Sequence, residues 1–342
     1  MERIPVSILG ATGMVGQKFI ELLLDHPWFE IAALAASERS LRKRYQDATI
    51  WRMKTPLPQK IAAMPLVACE SELPSRLVFS GLTSSAAKTL EKQLAERGCV
   101  VISNAGAHRM DADVPLLIPE INSDHLQLVD GQKGMIVTNP NCSVVGLATG
   151  LKPLIDYWGV EAVHVVTLQA LSGAGYPGVA SLDIIDNIIP FISNEEDKVE
   201  SEPQKIFGKY ENGKVHFYPM KISAQCTRVP VIDSHTACVS VKLQKKARQE
   251  EIIQAWKSFR GRPQELRLPL APKQPIHYFS EPGYPQPKLH RNLERGMAVS
   301  VGRLRPCPLY DWKFVILSHN TIRGAAGGAI LNAELMVKEG RI

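Results

Sequence analysis

No stretch of this 342-residue chain stays apolar for the roughly 20 residues that a membrane-crossing helix needs, so no membrane span is expected. A charged leader with an apolar centre is missing too. Met1-Glu2-Arg3-Ile4-Pro5 runs at once into the strand-like Val6-Ser7-Ile8-Leu9, and a cytoplasmic location is the expectation. The six cysteines (Cys69, Cys99, Cys142, Cys226, Cys238, Cys307) form no CxxC pair and accompany no His-rich cluster. That argues against a bound metal or a disulfide framework, and leaves reduced thiols, most of them expected to be small buried apolar residues. A long basic stripe is also absent. The net charge of +6 is modest for this length and suits anionic small molecules better than nucleic acid. Neither an internal repeat nor a low-complexity tail is present.

What is there reads as a globular protein, 45% apolar and 22% charged, long enough for two domains. Short apolar runs at Val6–Leu9, Ile31–Ala35, Leu77–Ser80, Val100–Ser103 and Met135–Thr138 alternate with amphipathic stretches at Val15–Leu24 and Ser84–Arg97. This alternation predicts an α/β fold built on a Rossmann-type, doubly wound parallel sheet, with Gly98 stopping a helix. Past Asn141 the texture changes. Val163–Leu171, Ala237–Leu243 and Phe314–Ser318 are β-rich strands suited to a mixed sheet in an α+β domain. The proline-crowded Arg260–Pro287 reads as an extended connection, and Thr321–Lys338 as a helix rich in small residues.

The first strand feeds Gly10-Ala11-Thr12-Gly13-Met14-Val15-Gly16 and then a helix. Glycines there allow a tight turn and close approach of backbone to a pyrophosphate, which the helix's first amides then bind. A plain strand-to-helix turn is the bland alternative. An NAD enzyme usually carries an acidic residue about 20 residues further on, for the ribose 2′-hydroxyl. Here the second strand leads into Ser37-Glu38-Arg39-Ser40, followed by Arg42-Lys43-Arg44. Hydroxyls and a guanidinium suit a 2′-phosphate, so NADP is the expected cofactor; Glu38 is the discordant residue, and a solvated basic loop the alternative.

Asn139-Pro140-Asn141-Cys142-Ser143 lies where the last strand of the parallel set ends, with a helix expected over Val144–Leu151. A cysteine at a helix start has its thiolate favoured by the dipole, and the free amides can also hold a substrate oxyanion. Cys142 is therefore the candidate nucleophile. Among the nine histidines, His235 in Arg228-Val229-Pro230-Val231-Ile232-Asp233-Ser234-His235 is the candidate acid/base, with Arg228 as a carboxylate clamp. A surface histidine beside a strand is the alternative, and a packing role is the alternative for the cysteine.

Together, GATGMVGQ, SNAGAHRM, DVPLLIPEIN, NPNCS, QALSGAGYPG, EEDKVESEPQKI, RVPVIDSH and HNTIRGAAGGAILNAEL resemble, in order and nearly end to end, the aspartate-β-semialdehyde dehydrogenases of archaea, fungi and some bacteria. The resemblance implies that Cys142 attacks aspartyl phosphate, that phosphate leaves, and that NADPH reduces the resulting thioester to the semialdehyde. This is a step toward lysine, methionine, threonine and isoleucine. It implies His235 as acid/base, Gln169 as the residue orienting substrate, and Arg228 as the grip on the α-carboxylate. Glu195 then pairs with the amino group, Lys198 and Arg109 hold the phosphate, and Asn141 joins the substrate site. Ser172 and Gly173 wall the nicotinamide, and Asn320 contacts the cofactor. Read alone, Glu195-Glu196-Asp197-Lys198 is a solvated charge run and Asn320 an N-cap.

The family motif ends Asp-Gly-His where this chain has Asp233-Ser234-His235, and a serine would be strained if that glycine had positive φ. The resemblance further implies a cofactor domain of residues 1–141 and 320–342, a catalytic and oligomerisation domain of 142–319, and a homodimer or homotetramer. Rival readings are N-acetyl-glutamyl-phosphate reductase, whose motif usually reads Asn-Pro-Gly-Cys-Tyr, malonyl-CoA reductase, and a non-catalytic NADP sensor. The last has no use for a nucleophile with its base.

Overall fold

The computed structural model describes residues 3–342, so Met1 and Glu2 of the expected leaderless start lie outside it. Six short strands form the first sheet: β1 (Ile4–Leu9), β2 (Phe29–Ala36), β3 (Leu66–Ala68), β4 (Leu77–Ser80), β5 (Val100–Ser103) and β6 (Met135–Thr138). All are parallel, in the order β3-β2-β1-β4-β5-β6, the doubly wound arrangement that places ligands at the carboxyl ends of the strands. Every residue of β4, β5 and β6 is buried, as expected of strands covered on both faces. The flanking helices Met14–Leu23 and Ser84–Glu96 bury Phe19, Ile20 and Leu23, and Ala87 and Leu94, at helical spacing. Strand β3 is not legible in the sequence; three residues after Pro65 are too few to show a period.

The second sheet comprises β7 (Val160–Gln169), β10 (Lys221–Arg228), β11 (His235–Leu243), β12 (Ile276–Phe279), β13 (Val299–Pro306) and β14 (Trp312–Ser318), while β8 (Lys209–Glu211) and β9 (Lys214–His216) form a separate ribbon. Its order is β10-β7-β11-β14-β13-β12, with parallel pairs at both edges and antiparallel pairs between, so the sheet is mixed. Along β11 residues 235, 237, 239, 241 and 243 are buried while Cys238 and Lys242 are exposed, the period of two that marks one covered face. The helix Cys142–Trp158 provides the cover. Val144, Leu147, Leu151 and Leu154 share a core with Val165, Val239, Val301 and Ile316, and Trp256 donates its indole N–H to the Gly150 carbonyl at 2.8 Å.

Three expectations need correction. The Arg260–Pro287 stretch is not merely extended; it holds the helical turn Arg262–Glu265 and edge strand β12. The C-terminal helix is regular only over Gly327–Lys338. It is preceded by a π turn at Ile322–Ala326, where Ala325 (φ −149°, ψ −109°) leaves helical geometry. Of the six cysteines only Cys69 and Cys226 are buried, and Cys238 is exposed. Among the described residues no helix is long and apolar enough to cross a membrane.

The C-terminal helix returns to the first sheet, where Ile330, Ala333 and Met336 join the core of Val6, Phe79 and Ile102. It is clamped there by a buried bidentate pair: Arg323 donates to Glu120 Oε1 at 2.9 Å and Oε2 at 2.7 Å. Removing one partner of such a pair strands the other charge, so Arg323→Met is expected to cost about 3–5 kcal/mol in equilibrium denaturation. A loss under 1 kcal/mol would show that the pair does not hold the returning helix.

Candidate active site

Strand register brings the chemistry together. Strands β10 and β7 run parallel with Arg228 opposite Gln169. Antiparallel β11 pairs Thr236 with Leu168 and so sets His235 beside Gln169. On the other side β14 places Ser318 opposite His235, leading directly to His319 and Asn320. Arg228, Gln169 and His235 therefore occupy one end of three adjacent strands, and all are buried. The helix that begins at Cys142, two residues earlier than its expected start and extending to Trp158, points its N-terminus at them.

Asn141 caps that helix. Its Oδ1 accepts from the Ser143 amide at 2.9 Å and from the Val144 amide at 3.3 Å, which satisfies first-turn donors. Its Nδ2 donates to Glu195 Oε1 at 2.9 Å, and its backbone N–H donates to Glu202 Oε2 at 2.7 Å. Space behind the nucleophile is minimal. A Cβ on Gly324 would fall 2.9 Å from both the Cα and the Cβ of Cys142, so only glycine lets the π turn lie there.

The Cys142 sulfur is 3.1 Å from His235 Nε2. On the far side of the ring, Nδ1 accepts the Ala170 amide at 3.0 Å. A nitrogen that accepts a hydrogen bond carries no proton, so the neutral imidazole holds its proton on Nε2, facing the sulfur. Burial pushes His235 down to about 3, and Arg228 and His319 push the same way. Burial lifts the Cys142 thiol to about 12 and the Glu195 carboxylate adds to the rise, while Arg109 and Arg228 oppose it. This balance favours a neutral thiol and a neutral imidazole.

Around this pair the residues singled out in the sequence fall as follows. Gln169 donates to Glu195 Oε1 at 3.1 Å, and Arg228 is anchored by a 2.7 Å bond from Nη1 to the Ala170 carbonyl. The acidic run is not a solvated patch. It opens the helix Glu195–Ile206, with Glu195 buried and the half-exposed Lys198 ammonium 3.5 Å from it. Arg109 is buried and pairs with Glu202 at 2.9 Å. Gly173 lies over His235 and Arg228, since a Cβ there would meet both side chains within 3.1 Å. Asn320 is not an N-cap: its Oδ1 accepts the Ser234 amide at 2.8 Å and its Nδ2 donates to the Ser172 hydroxyl at 2.8 Å. The Ala170 amide, Glu202 and Lys205 were not singled out in the sequence. A backbone donor leaves no sequence signal, and the two side chains stand at helical spacing behind Glu195 and Lys198, where a charge run hides them.

At the carboxyl end of the first sheet, Gly10 has φ +67°, and a Cβ on Gly16 would fall 2.2 Å from the Gly10 carbonyl. The turn therefore needs both glycines, and the helix behind it starts at Met14 with first-turn amides free for an anion. A cleft of about 480 Å³ lies against Thr12, Gly13 and Met14 and reaches Arg52 and Tyr176, whose guanidinium and ring stack at 3.5 Å. Beyond β2, Ser37 precedes the helical turn Glu38–Ser40; Ser37, Glu38 and Arg39 are exposed and Ser40 is half-buried. A dinucleotide phosphate fits these residues.

Fold and site define the class: a dinucleotide-dependent dehydrogenase whose second domain presents a cysteine–histidine pair. A family model described as semialdehyde dehydrogenase, NAD binding domain, matches residues 5–129, and one described as semialdehyde dehydrogenase, dimerisation domain, matches 151–323. Aspartate-semialdehyde dehydrogenase of Archaeoglobus fulgidus is 48% identical, over 98% of this chain and 99% of that protein. The enzyme of that name from Schizosaccharomyces pombe is 47% identical, over 98% of each. The crystal structure of the Candida albicans enzyme with NADP superposes with a TM-score of 0.93 at 41% identity, covering 100% of both chains. The chain belongs to the aspartate-semialdehyde dehydrogenase family, in its archaeal and fungal branch.

Two outcomes follow from the geometry. Ser234 has φ +83°, and its hydroxyl is buried without a partner among the described residues. Ser234→Gly should therefore stabilise the protein by about 1–2 kcal/mol in chemical denaturation; a destabilised variant would contradict the strain. Because the Glu195 charge opposes the thiolate, Glu195→Gln should move the pH midpoint of Cys142 alkylation downward. An unchanged or raised midpoint would contradict that charge balance.

Proposed function

We propose that the chain converts L-aspartyl-4-phosphate to L-aspartate-4-semialdehyde with NADPH through a thioester on Cys142, the reductive step that feeds lysine, methionine, threonine and isoleucine synthesis. The observation that carries this is the 3.1 Å approach of the Cys142 sulfur to His235 Nε2 at the N-terminus of a capped helix. Residues 1–141 and 320–342 form the cofactor unit and 142–319 the catalytic and oligomerisation unit. Gly10, Thr12, Gly13, Met14, Val15 and Gly16 take the cofactor diphosphate, Ser37, Arg39 and Ser40 its 2′-phosphate, and Ser172, Gly173 and Asn320 border the nicotinamide.

Arg228 is anchored on the Ala170 carbonyl and Glu195 on Asn141, a cation for the substrate carboxylate and an anion for its ammonium, so the acyl carbon is held over the sulfur. The Cys142 sulfur attacks that carbon and gives up its thiol proton; the new C–S bond replaces the C–O bond to phosphate, which departs toward Arg109 and Lys198 and carries the proton away. Bound NADPH supplies the hydride that reduces the thioester. The acyl oxygen that becomes anionic in that reduction faces the Nε2 proton of His235, a donor already in place for it. Collapse of that oxyanion restores the carbonyl and expels the Cys142 thiolate, which takes up a proton from solvent and returns to the neutral thiol. Gln169 keeps Glu195 in line throughout.

The chain works as a homodimer assembled through its second unit, with a homotetramer as the larger assembly, and it resides in the cytoplasm. Turnover of aspartate semialdehyde with phosphate and NADP, followed by NADPH absorbance, tests the reading. Cys142→Ala should lose at least a thousandfold in rate while NADP affinity is kept within about twofold, since removing an essential nucleophile is not compensated elsewhere. Retained turnover would move the nucleophile to another residue. A preference for NAD over NADP would sink the assignment of Ser37, Arg39 and Ser40.

A further inference from the structure

The helix Glu195–Ile206 carries charged groups at positions 195, 198, 202 and 205, a spacing that aligns them on one face. The first two belong to the proposed substrate site. Glu202 and Lys205 touch no reacting atom, yet they are only 2% and 1% exposed. Burying such charges costs several kcal/mol each, and an apolar pair would often fill the place as well. Their retention asks for a reason beyond packing.

Their partners supply one. Glu202 Oε1 accepts from Arg109 Nη1 at 2.9 Å, and Oε2 accepts from the Asn141 backbone N–H at 2.7 Å. Lys205 Nζ donates to the carbonyls of Arg109, Asp111 and Val114 at 2.7, 2.6 and 2.8 Å. One helix face thus grips the guanidinium of Arg109 through Glu202 and its backbone through Lys205. The same carboxylate also grips the residue just before the nucleophile. With Nη2 taken by the Asn104 carbonyl at 2.8 Å, the orientation of the guanidinium is set, and its buried Nε has no partner among the described residues.

We propose that Glu202, with Lys205 behind it, is a positioning residue that ties the phosphate-side Arg109 to Asn141 and so fixes where the phosphate lies relative to Cys142. The proposal rests on the reading of Arg109 as a phosphate ligand, and the test separates the two. In the full-length enzyme, running from semialdehyde and phosphate, Glu202→Gln should raise the apparent KM for phosphate about tenfold, equivalent to ~1.4 kcal/mol. The KM for semialdehyde should stay within about twofold, a split that general loosening would not produce. In an Arg109→Ala background the same change should add nothing to the phosphate KM, because the two residues act as one unit.

Additive effects, or equal rises in both KM values, would overturn the positioning role while leaving the phosphate reading intact. An Arg109→Ala enzyme with unaltered phosphate KM would remove both. Should Glu202→Gln fail to fold, Glu202→Asp, which keeps the charge but shortens the reach, enters the same cycle with the same two outcomes.

Discussion

Asn141 makes hydrogen bonds in three directions, and the site is arranged about them. Its side-chain oxygen closes the first turn of the nucleophile helix, its side-chain amide fixes Glu195, and its backbone amide fixes Glu202. A cap that only ended a helix would be worth about 1 kcal/mol. Here the same residue sets the height of Cys142 above the strand ends, and it connects two carboxylates from one helix to the start of another. Gly324 packs from behind against the Cα and Cβ of Cys142, with no room for a side chain between them. The 3.1 Å contact with His235 joins that helix start to the first residue of β11.

The charges around the sulfur are balanced in pairs. Arg109 is answered by Glu202, and Lys198 by Glu195, while Arg228 leans on a neutral carbonyl. All but Lys198 are buried, and they come from one helix, the loop after β5 and the end of β10. Such a network costs desolvation energy and returns it in fixed geometry. What it gives the chemistry is a set of donors and acceptors whose positions precede the substrate, so little reorganisation remains when charge moves on the acyl oxygen.

The doubly wound sheet was legible because β1, β4, β5 and β6 are short apolar runs separated by helical periods, and the glycine loop is a local signal. Cys142 was legible from its place after β6. Several features were not. Strand β3 is too short to show a period, and β12 lies in a proline-rich stretch whose pairing with β13 is made by tertiary contact. Asn320 looks like a cap in the sequence, but the π turn begins after it and frees its amide to bridge Ser172 and Ser234. The strain at Ser234 could be anticipated only as a condition on backbone shape; the value φ +83° supplies the condition. Glu202 and Lys205 sit in a run that composition alone reads as solvated, and burial in a helix face is a property of the packed structure.

The helix that starts at Cys142 leaves the first sheet at the end of β6, yet it is buried against the second, where Val144, Leu147 and Leu151 meet Val239 and Ile316. The sulfur is therefore covalently a continuation of one unit and mechanically a part of the other. His235, Gln169, Arg228, Glu195 and Glu202 belong to the same rigid neighbourhood as the sulfur, whereas the glycine loop belongs to the other. A rotation between the sheets would leave Cys142, His235, Gln169, Arg228 and Glu195 in mutual register, while the glycine loop and Arg109, which follow strands of the first sheet, would shift against them.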